Sequence, residues 1–172
     1  MMDKFEVVLP KLRTIALFSD FAEDNERNNK ILKLVYDNIQ LKEFSKGEVI
    51  IKEGDFGDDF YILYKGSIQI ERDTPAGDVI ALASLNSDQN VFFGETALIS
   101  NDARTATVKA ASACTAIVLN ADAFEKICDQ EPVFGYKVVM EIARRMAITI
   151  KTTNSDKATL YAALFDEIEG LQ

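Results

Sequence analysis

The stretch that decides the fold lies at residues 91–110 and reads VFFGETALISNDARTATVKA. Three apolar residues lead into Gly94, which is followed by Glu95 and a short, largely apolar segment. A polar loop then leads to Arg104 and Thr105, and an alternating strand pattern resumes after them. A strand, a glycine turn, one short helical turn and a loop with an arginine are typical of a cradle for a small anion.

The residue types in this stretch suit a phosphate bound next to a sugar. The planar guanidinium of Arg104 can donate two parallel hydrogen bonds to a phosphate, and the hydroxyl of Thr105 can add a third. A helical turn after Gly94 would direct unpaired backbone N–H groups at the same oxygens. A phosphate would repel Glu95, which fits better if its carboxylate accepts a hydrogen bond from a sugar hydroxyl. The alternative for Glu95 is a helix N-terminal charge that the helix dipole favours.

The pattern on either side of this stretch predicts short strands flanked by helices. Strand signals run from residue 39 to residue 119 and are separated by glycine turns, which is typical of a sandwich or barrel of the jelly-roll kind. Apolar positions at helical spacing precede this region and follow it. We therefore predict a mostly β fold, a jelly-roll or β-roll barrel with N-terminal helices and C-terminal lid helices.

The same patterns divide the chain into consecutive segments. Asn120 is suited to cap one helix, Pro132 to open the next, and Asn154 or Ser155 to cap a last one that Gly170 would end. The predicted segments are an N-terminal helical segment at 1–38, a β-roll at 39–120 with its cassette at 91–108, lid helices at 121–153, and a C-terminal amphipathic helix at 154–172.

Composition excludes several classes of function. The 172 residues fit one domain with additional helices, and the net charge of −9 disfavours nucleic acid as a partner. No apolar run approaches the roughly 20 residues of a membrane helix, and the N-terminus lacks the pattern of a secretory signal. We therefore expect a cytoplasmic protein without a membrane partner.

The cysteines and the absence of histidine argue against an enzyme. Cys114 and Cys128 have no neighbours at metal-ligand spacing, so we expect buried, reduced thiols. With no histidine in the sequence, histidine metal sites and Ser-His or Cys-His nucleophile pairs are excluded. The sequence predicts no catalytic residues, no cofactor and no metal site.

The motif F-G-E-x-A-L followed by R-T-A-T-V resembles the phosphate-binding cassette of the cyclic nucleotide-binding domain family. This family includes regulatory subunits of cyclic AMP-dependent protein kinase, hyperpolarisation-activated channels and catabolite activator proteins. Weaker similarities are found at Leu17-Phe18, at KGEVI (46–50) with EGD (53–55), and at FYIL (60–63) with Gly66. The resemblance covers about residues 12–153.

The resemblance implies a ligand-binding set and roles within it. Glu95 would hold the ribose 2′-hydroxyl and Arg104 the cyclic phosphate, with backbone N–H groups and the Thr105 hydroxyl completing the cradle. A threonine at this position is often associated with cyclic GMP but also occurs in channels that bind cyclic AMP, so the base remains open. The implied set is Gly94, Glu95, Thr96, Ala97, Arg104 and Thr105.

Family members cap the purine with a residue on the helix after the barrel. Placing the chain without gaps against the channel pattern puts Pro132 on the helix-opening proline and Arg145 at a base-facing position. Met146 and Thr149 lie on nearby turns and complete the candidate base lid. The alternative for Arg145 is a solvent-exposed helix charge.

The resemblance implies a non-catalytic regulatory module that binds cAMP or cGMP as a ligand and moves its C-terminal helices. Residues 154–172 are too few for a helix-turn-helix domain, and residues 133–172 hold five basic and five acidic residues, which does not suggest a DNA-reading surface. We therefore expect no attached effector domain in this chain, and an output through a protein partner, a homodimer formed by the C-terminal helices, or a domain absent from it. The alternative is an interaction protein with a degenerate or differently occupied pocket.

Overall fold

The computed structural model describes residues 4–74 and 76–169. Its strands are β1 Gln40–Phe44, β2 Val49–Ile51, β3 Asp59–Lys65, β4 Ser67–Asp73, β5 Val79–Asn86, β6 Phe92–Phe93, β7 Thr107–Ala110 and β8 Cys114–Asn120. They form two four-stranded antiparallel sheets, ordered β1-β8-β3-β6 and β2-β7-β4-β5. Side chains from both sheets share one core, in which Leu63, Ile68 and Ala116 are fully buried. The predicted mostly β roll with flanking helices is confirmed.

Strand β3 separates the barrel interior from the helices. It pairs with β8 on one side and with the two-residue strand β6 on the other, with Tyr61 opposite Phe93 and Ile62 opposite Phe92. Because side chains alternate across a strand, Tyr61 and Phe93 point into the core between the sheets, while Ile62 and Phe92 join the core under the helices. The cassette that follows β6 therefore begins at the boundary between the two cores.

Helices from both ends of the chain pack together on this second core. The ring of Phe134 lies 5.8 Å from that of Phe18 and 5.2 Å from that of Phe21. Burying one such side chain contributes roughly 1.5–3 kcal/mol. The helices are α1 Lys4–Thr14, a 3₁₀ helix Ala16–Phe21, α2 Glu26–Asp37, α3 Ala121–Gln130 and α4 Pro132–Glu169.

The predicted helix starts after the barrel agree with the structure. The side chain of Asn120 accepts a hydrogen bond from the backbone N–H of Ala123 at 2.8 Å and caps α3, and Pro132 is the first residue of α4. Helix α4 has two unlike halves. Phe134, Val138 and Ile142 of its inner half are fully buried, whereas every side chain described beyond residue 145 is exposed.

The prediction of a separate helix beginning at residue 154 is wrong, because α4 continues through Asn154 and Ser155 to Glu169. Capping residues stop a helix only weakly, since each costs at most about 0.7 kcal/mol in a helix interior. The hydroxyl of Thr152 donates to the carbonyl of Thr149 at 3.0 Å, within the continuous helix. Gly170, the predicted helix end, lies outside the described residues. Within the two described ranges, no helix has both the length and the apolar character needed to cross a membrane.

Candidate functional site

The cassette turn is fixed by a glycine and two buried apolar residues. Gly94 follows β6 with φ 74° and ψ 18°, a left-handed conformation, and a 3₁₀ helix runs over Glu95–Leu98. Ala97 and Leu98 are buried and hold this turn against the barrel. The N–H of Ala97 donates to the carbonyl of Gly94 at 3.1 Å. The N–H groups of the two preceding residues have no acceptor within the turn, since they open it.

Arg104 is held at both its backbone and its side chain. Its N–H donates to the carbonyl of Asp55 at 2.8 Å, and its own carbonyl accepts from the N–H of Gly54 at 2.9 Å. Its Nη2 donates to the backbone carbonyl of Asp59 at 2.7 Å, and its Nη1 lies 3.5 Å from the carbonyl of Gly94. A guanidinium has five N–H donors, so these two side-chain contacts leave capacity for an anion.

The close approach of Arg104 explains two glycines around it. A Cβ on Gly94 would lie 2.9 Å from Nη1 of Arg104 and 3.1 Å from the carbonyl oxygen of Asp59. A Cβ on Gly57 would lie 3.2 Å from Nη2 of the same arginine. The loop between β2 and β3 and the cassette therefore hold the guanidinium between them without room for side chains.

The six residues of the predicted ligand-binding set line one cavity of about 240 Å³. The other side of the cavity is apolar and consists mainly of barrel residues, among them Ile51, Ile70 and Phe93. A second cavity of about 230 Å³ lies on the β2–β3 side of Arg104. Arg104 lines both cavities and so places its charge at their boundary.

The carboxylate of Asp59, the residue whose backbone carbonyl binds this arginine, has other partners. Lys42 donates to Oδ2 of Asp59 at 3.0 Å, and the hydroxyl of Tyr61 donates to the same oxygen at 3.2 Å. Burial, together with the charge of Asp59, raises the pKa of Tyr61 to about 12, so its phenol stays protonated and keeps donating. Among the ion pairs of the described residues, none involves Arg104. Its charge faces backbone carbonyls and the cavity.

Arg145 reaches the same cassette from helix α4. Its Nε lies 3.7 Å from Oε1 of Glu95, and its guanidinium carbon lies 4.0 Å from the centre of the Phe92 ring. Phe92 belongs to the core under the helices, so Arg145 approaches Glu95 from that side. Of the predicted base-lid residues, Met146 and Thr149 are exposed, and none of the three is among the residues that line the cavity of about 240 Å³.

Sequence reasoning did not assign three residues that shape this site. Asp59 supplies the carbonyl that holds Arg104, Gly57 gives the guanidinium room, and Phe92 provides the ring under Arg145. The glycine in the polar run before β3 was a usable signal for a close approach. A backbone carbonyl acceptor has no such signal, because every residue type carries one.

Both cysteines are free thiols, with Cys114 buried and Cys128 half-buried. Burial raises the pKa of each, which keeps the thiols protonated. Across the described part of the chain, no group of three or more potential metal-ligating side chains is placed to hold a metal ion.

Comparison with known proteins identifies the family of this fold. The model of the cyclic nucleotide-binding domain matches residues 41–131, which include all eight strands apart from the first residue of β1. The chain belongs to the cyclic nucleotide-binding domain family. The fold described above is the β-roll regulatory domain of this family, and the match extends through the cassette and helix α3.

Three relatives show what the family resemblance covers. Human cGMP-dependent protein kinase 2 is 34% identical over 97 residues, which are 56% of this chain and 12% of the kinase. The regulatory domain of Toxoplasma gondii PKA, crystallised with cAMP, is 29% identical with a TM-score of 0.62, over 74% of this chain and 46% of that one. A cyclic nucleotide-binding domain from Methylobacillus flagellatus has a TM-score of 0.70 at 21% identity, over 88% and 81% of the two chains.

Proposed function

We propose that this chain is a non-catalytic regulatory module that binds cAMP or cGMP and couples binding to movement of α4. The observation that carries the proposal is the position of Arg104, a fixed cation at the edge of a cavity that all six cassette residues line. In a chain of net charge −9, an anion needs such a local positive site. The membership in the cyclic nucleotide-binding domain family supports the same ligand class.

In this proposal the cassette holds the ligand through its sugar and its phosphate. Arg104 donates hydrogen bonds to the cyclic phosphate, and the hydroxyl of Thr105 and the backbone N–H groups around Gly94 and Thr96 donate to the same oxygens. Ala97 contributes mainly by holding the turn, since its N–H already donates to Gly94. The carboxylate of Glu95 accepts a hydrogen bond from the ribose 2′-hydroxyl.

The purine would be covered only after α4 changes its position. The candidate lid residues Arg145, Met146 and Thr149 are not among the residues that line the cavity beside Arg104, and two of them are exposed. A ligand that binds more tightly to the covered state shifts the helix toward it by the difference in affinity. We keep these three residues as proposed base contacts, with cAMP and cGMP both as candidate ligands.

The output of this module is proposed to be a protein contact made by the outer half of α4. Eight of its described side chains are large, hydrophobic and exposed, which supports docking of a partner or of a second copy. These side chains are Met146, Ile148, Ile150, Leu160, Tyr161, Leu164, Phe165 and Ile168. The proposed location is the cytoplasm, which cell fractionation would test.

Calorimetric titration with each nucleotide tests the ligand, and light scattering with and without ligand tests the contact. We expect heat from at least one nucleotide at submillimolar concentration and a ligand-dependent change in mass or helix exposure. No heat from either nucleotide would leave the interaction protein with a differently occupied pocket as the better description.

A further inference from the structure

The contact between Arg145 and Glu95 joins the ligand cavity to helix α4. Glu95 lines the cavity, and its carboxylate lies 3.7 Å from the guanidinium of Arg145 on α4. The side chain of Glu95 is 22% exposed and that of Arg145 is 41% exposed. Water therefore weakens the attraction between the two charges without abolishing it. The Phe92 ring, 4.0 Å from the guanidinium carbon, adds a cation–π contact on the helix side.

Arg145 is also the outermost point at which α4 is held to the body of the protein. Phe134, Val138 and Ile142 form the buried face of the helix, and Arg145 is the next residue on that face, one turn further out. Beyond it every described side chain is exposed. The ion pair with Glu95 is therefore placed where its loss would release the outer half of the helix.

We infer that Arg145 competes with the sugar of the ligand for Glu95 and is thereby a specificity-determining residue. This inference rests on the proposed function, in which the ribose 2′-hydroxyl donates to the same carboxylate. In the structure the guanidinium pairs with Glu95 and holds α4 down. When the 2′-hydroxyl donates to Glu95, Arg145 loses this partner, so the arginine and the helix can shift toward the base.

The competition predicts in which direction Arg145 changes the preference of the site for ribose over 2′-deoxyribose. We place the 2′-hydroxyl on Oε1 of Glu95, the oxygen that Arg145 contacts. A ligand with this hydroxyl then displaces the arginine to gain its hydrogen bond, whereas a 2′-deoxy ligand neither gains that bond nor displaces the arginine. Arg145 therefore reduces the preference of the site for ribose over 2′-deoxyribose. A residue that only covers the base would affect both ligands equally and would leave this preference unchanged.

The test is the ratio of the Kd for the 2′-deoxy nucleotide to the Kd for the ribonucleotide. It is measured by calorimetry with the cyclic nucleotide that wild-type protein binds more tightly. We expect this ratio to rise about two- to five-fold in Arg145→Ala, the size expected for release of an exposed ion pair. Arg145→Lys, which keeps the charge, should give a smaller rise.

Arg144→Ala is the matched control, because Arg144 is the neighbouring residue and pairs with Glu141 at 3.4 Å on an exposed part of the helix. The Kd ratio of the Arg144→Ala variant should equal that of wild-type protein. If wild-type protein binds the nucleotide but the Kd ratio is unchanged or lower in Arg145→Ala, the inference is overturned and the proposed function still stands. Failure of wild-type protein to bind either nucleotide would remove the proposed function and this inference together.

Amide hydrogen exchange of α4 gives a second measurement, made without ligand. We expect residues 146–150 to exchange faster in Arg145→Ala and in Glu95→Gln than in wild type, because both changes remove the ion pair. Arg144→Ala should leave this exchange unchanged. Equal protection in wild type and both ion-pair variants would show that Arg145 does not hold the helix, and would overturn the inference.

Discussion

Two arginines meet at the cassette, Arg104 as a part of it and Arg145 from helix α4, and they are held in very different ways. The side chain of Arg104 donates to the backbone carbonyl of Asp59 at 2.7 Å, and its own backbone makes two further hydrogen bonds to the β2–β3 loop. Arg145 has a 3.7 Å ion pair and an aromatic ring under it, and 41% of its side chain is exposed. The first arginine is a fixed part of the site, and the second can exchange its partner.

The difference follows from what each arginine has to do. A cation already held in position binds an anion without an entropic cost for ordering its own side chain. A cation that transmits binding to a helix must instead lose one contact when the ligand gains one.

Replacing Arg104 with Ala should weaken nucleotide binding by about 10- to 100-fold or more, because hydrogen bonds to a charged group contribute about 1.5–3 kcal/mol. Calorimetry measures the change. Arg104→Lys serves as the comparison, since it keeps the charge but loses the planar fork, and it should restore only part of the affinity. An unchanged Kd for Arg104→Ala would contradict the role of this residue. Circular dichroism would verify that the β2–β3 loop remains folded.

Replacing Gly94 with Ala should displace the fixed arginine without removing it. The new Cβ would lie 2.9 Å from Nη1 of Arg104, and the backbone at φ 74° would be strained by about 1–2 kcal/mol. We expect nucleotide affinity to fall by about tenfold, which is less than the loss expected for Arg104→Ala, because the arginine is displaced and not removed. Thermal unfolding should show a Tm lowered by roughly 2–8 °C.

Gly47→Ala is the control that separates backbone strain from the displacement of Arg104. Gly47 has φ 86°, and a Cβ there would meet nothing within 4 Å. Its replacement should lower the Tm by a similar amount and leave nucleotide affinity unchanged. Equal losses of affinity in the two variants would mean that Gly94 acts only through stability.

Replacing Thr105 with Val removes a hydroxyl beside Arg104 and keeps the shape of the side chain. A neutral hydrogen bond contributes about 0.5–1.5 kcal/mol, so affinity should fall by about 2- to 10-fold. Titration with both cAMP and cGMP shows whether the loss is larger for one base. A gain in affinity would show that the Thr105 hydroxyl does not donate to the ligand.

Replacing Arg145 with Ala should have the smallest effect on the folded protein. An exposed ion pair and a cation–π contact together contribute about 0.5–1.5 kcal/mol, so the Tm should fall by no more than roughly 6 °C. Differential scanning calorimetry measures this shift. A larger decrease would mean that Arg145 is a structural residue like Arg104, and the distinction between the two would be lost.

Local signals in the sequence were sufficient for the cassette and for most of the fold. The glycine, acidic and arginine positions of residues 91–110 predicted a cradle, and the structure brings the predicted set to one cavity. Asn120 and Pro132 act at helix ends, where a single residue type satisfies a specific backbone requirement. Such positions can be predicted because their physical cause lies within one turn of chain.

The features that the sequence did not reveal depend on long-range contacts or on sums of weak preferences. The carbonyl of Asp59 is 45 residues from Arg104 in sequence, and Glu95 meets Arg145 only because α4 packs on the second core. The continuation of α4 through Asn154 was missed because two capping residues suggested a boundary. A weak local preference does not end a helix whose next turns also favour helix.

The central claim is that this cavity binds a cyclic nucleotide through Arg104. Its most direct test is calorimetric titration of wild-type protein and Arg104→Ala with cAMP and with cGMP under the same conditions. The account predicts one-site binding of at least one nucleotide at submillimolar concentration in wild type, weakened by at least about tenfold in the variant. No heat with either nucleotide, or equal affinity in the two proteins, would contradict it.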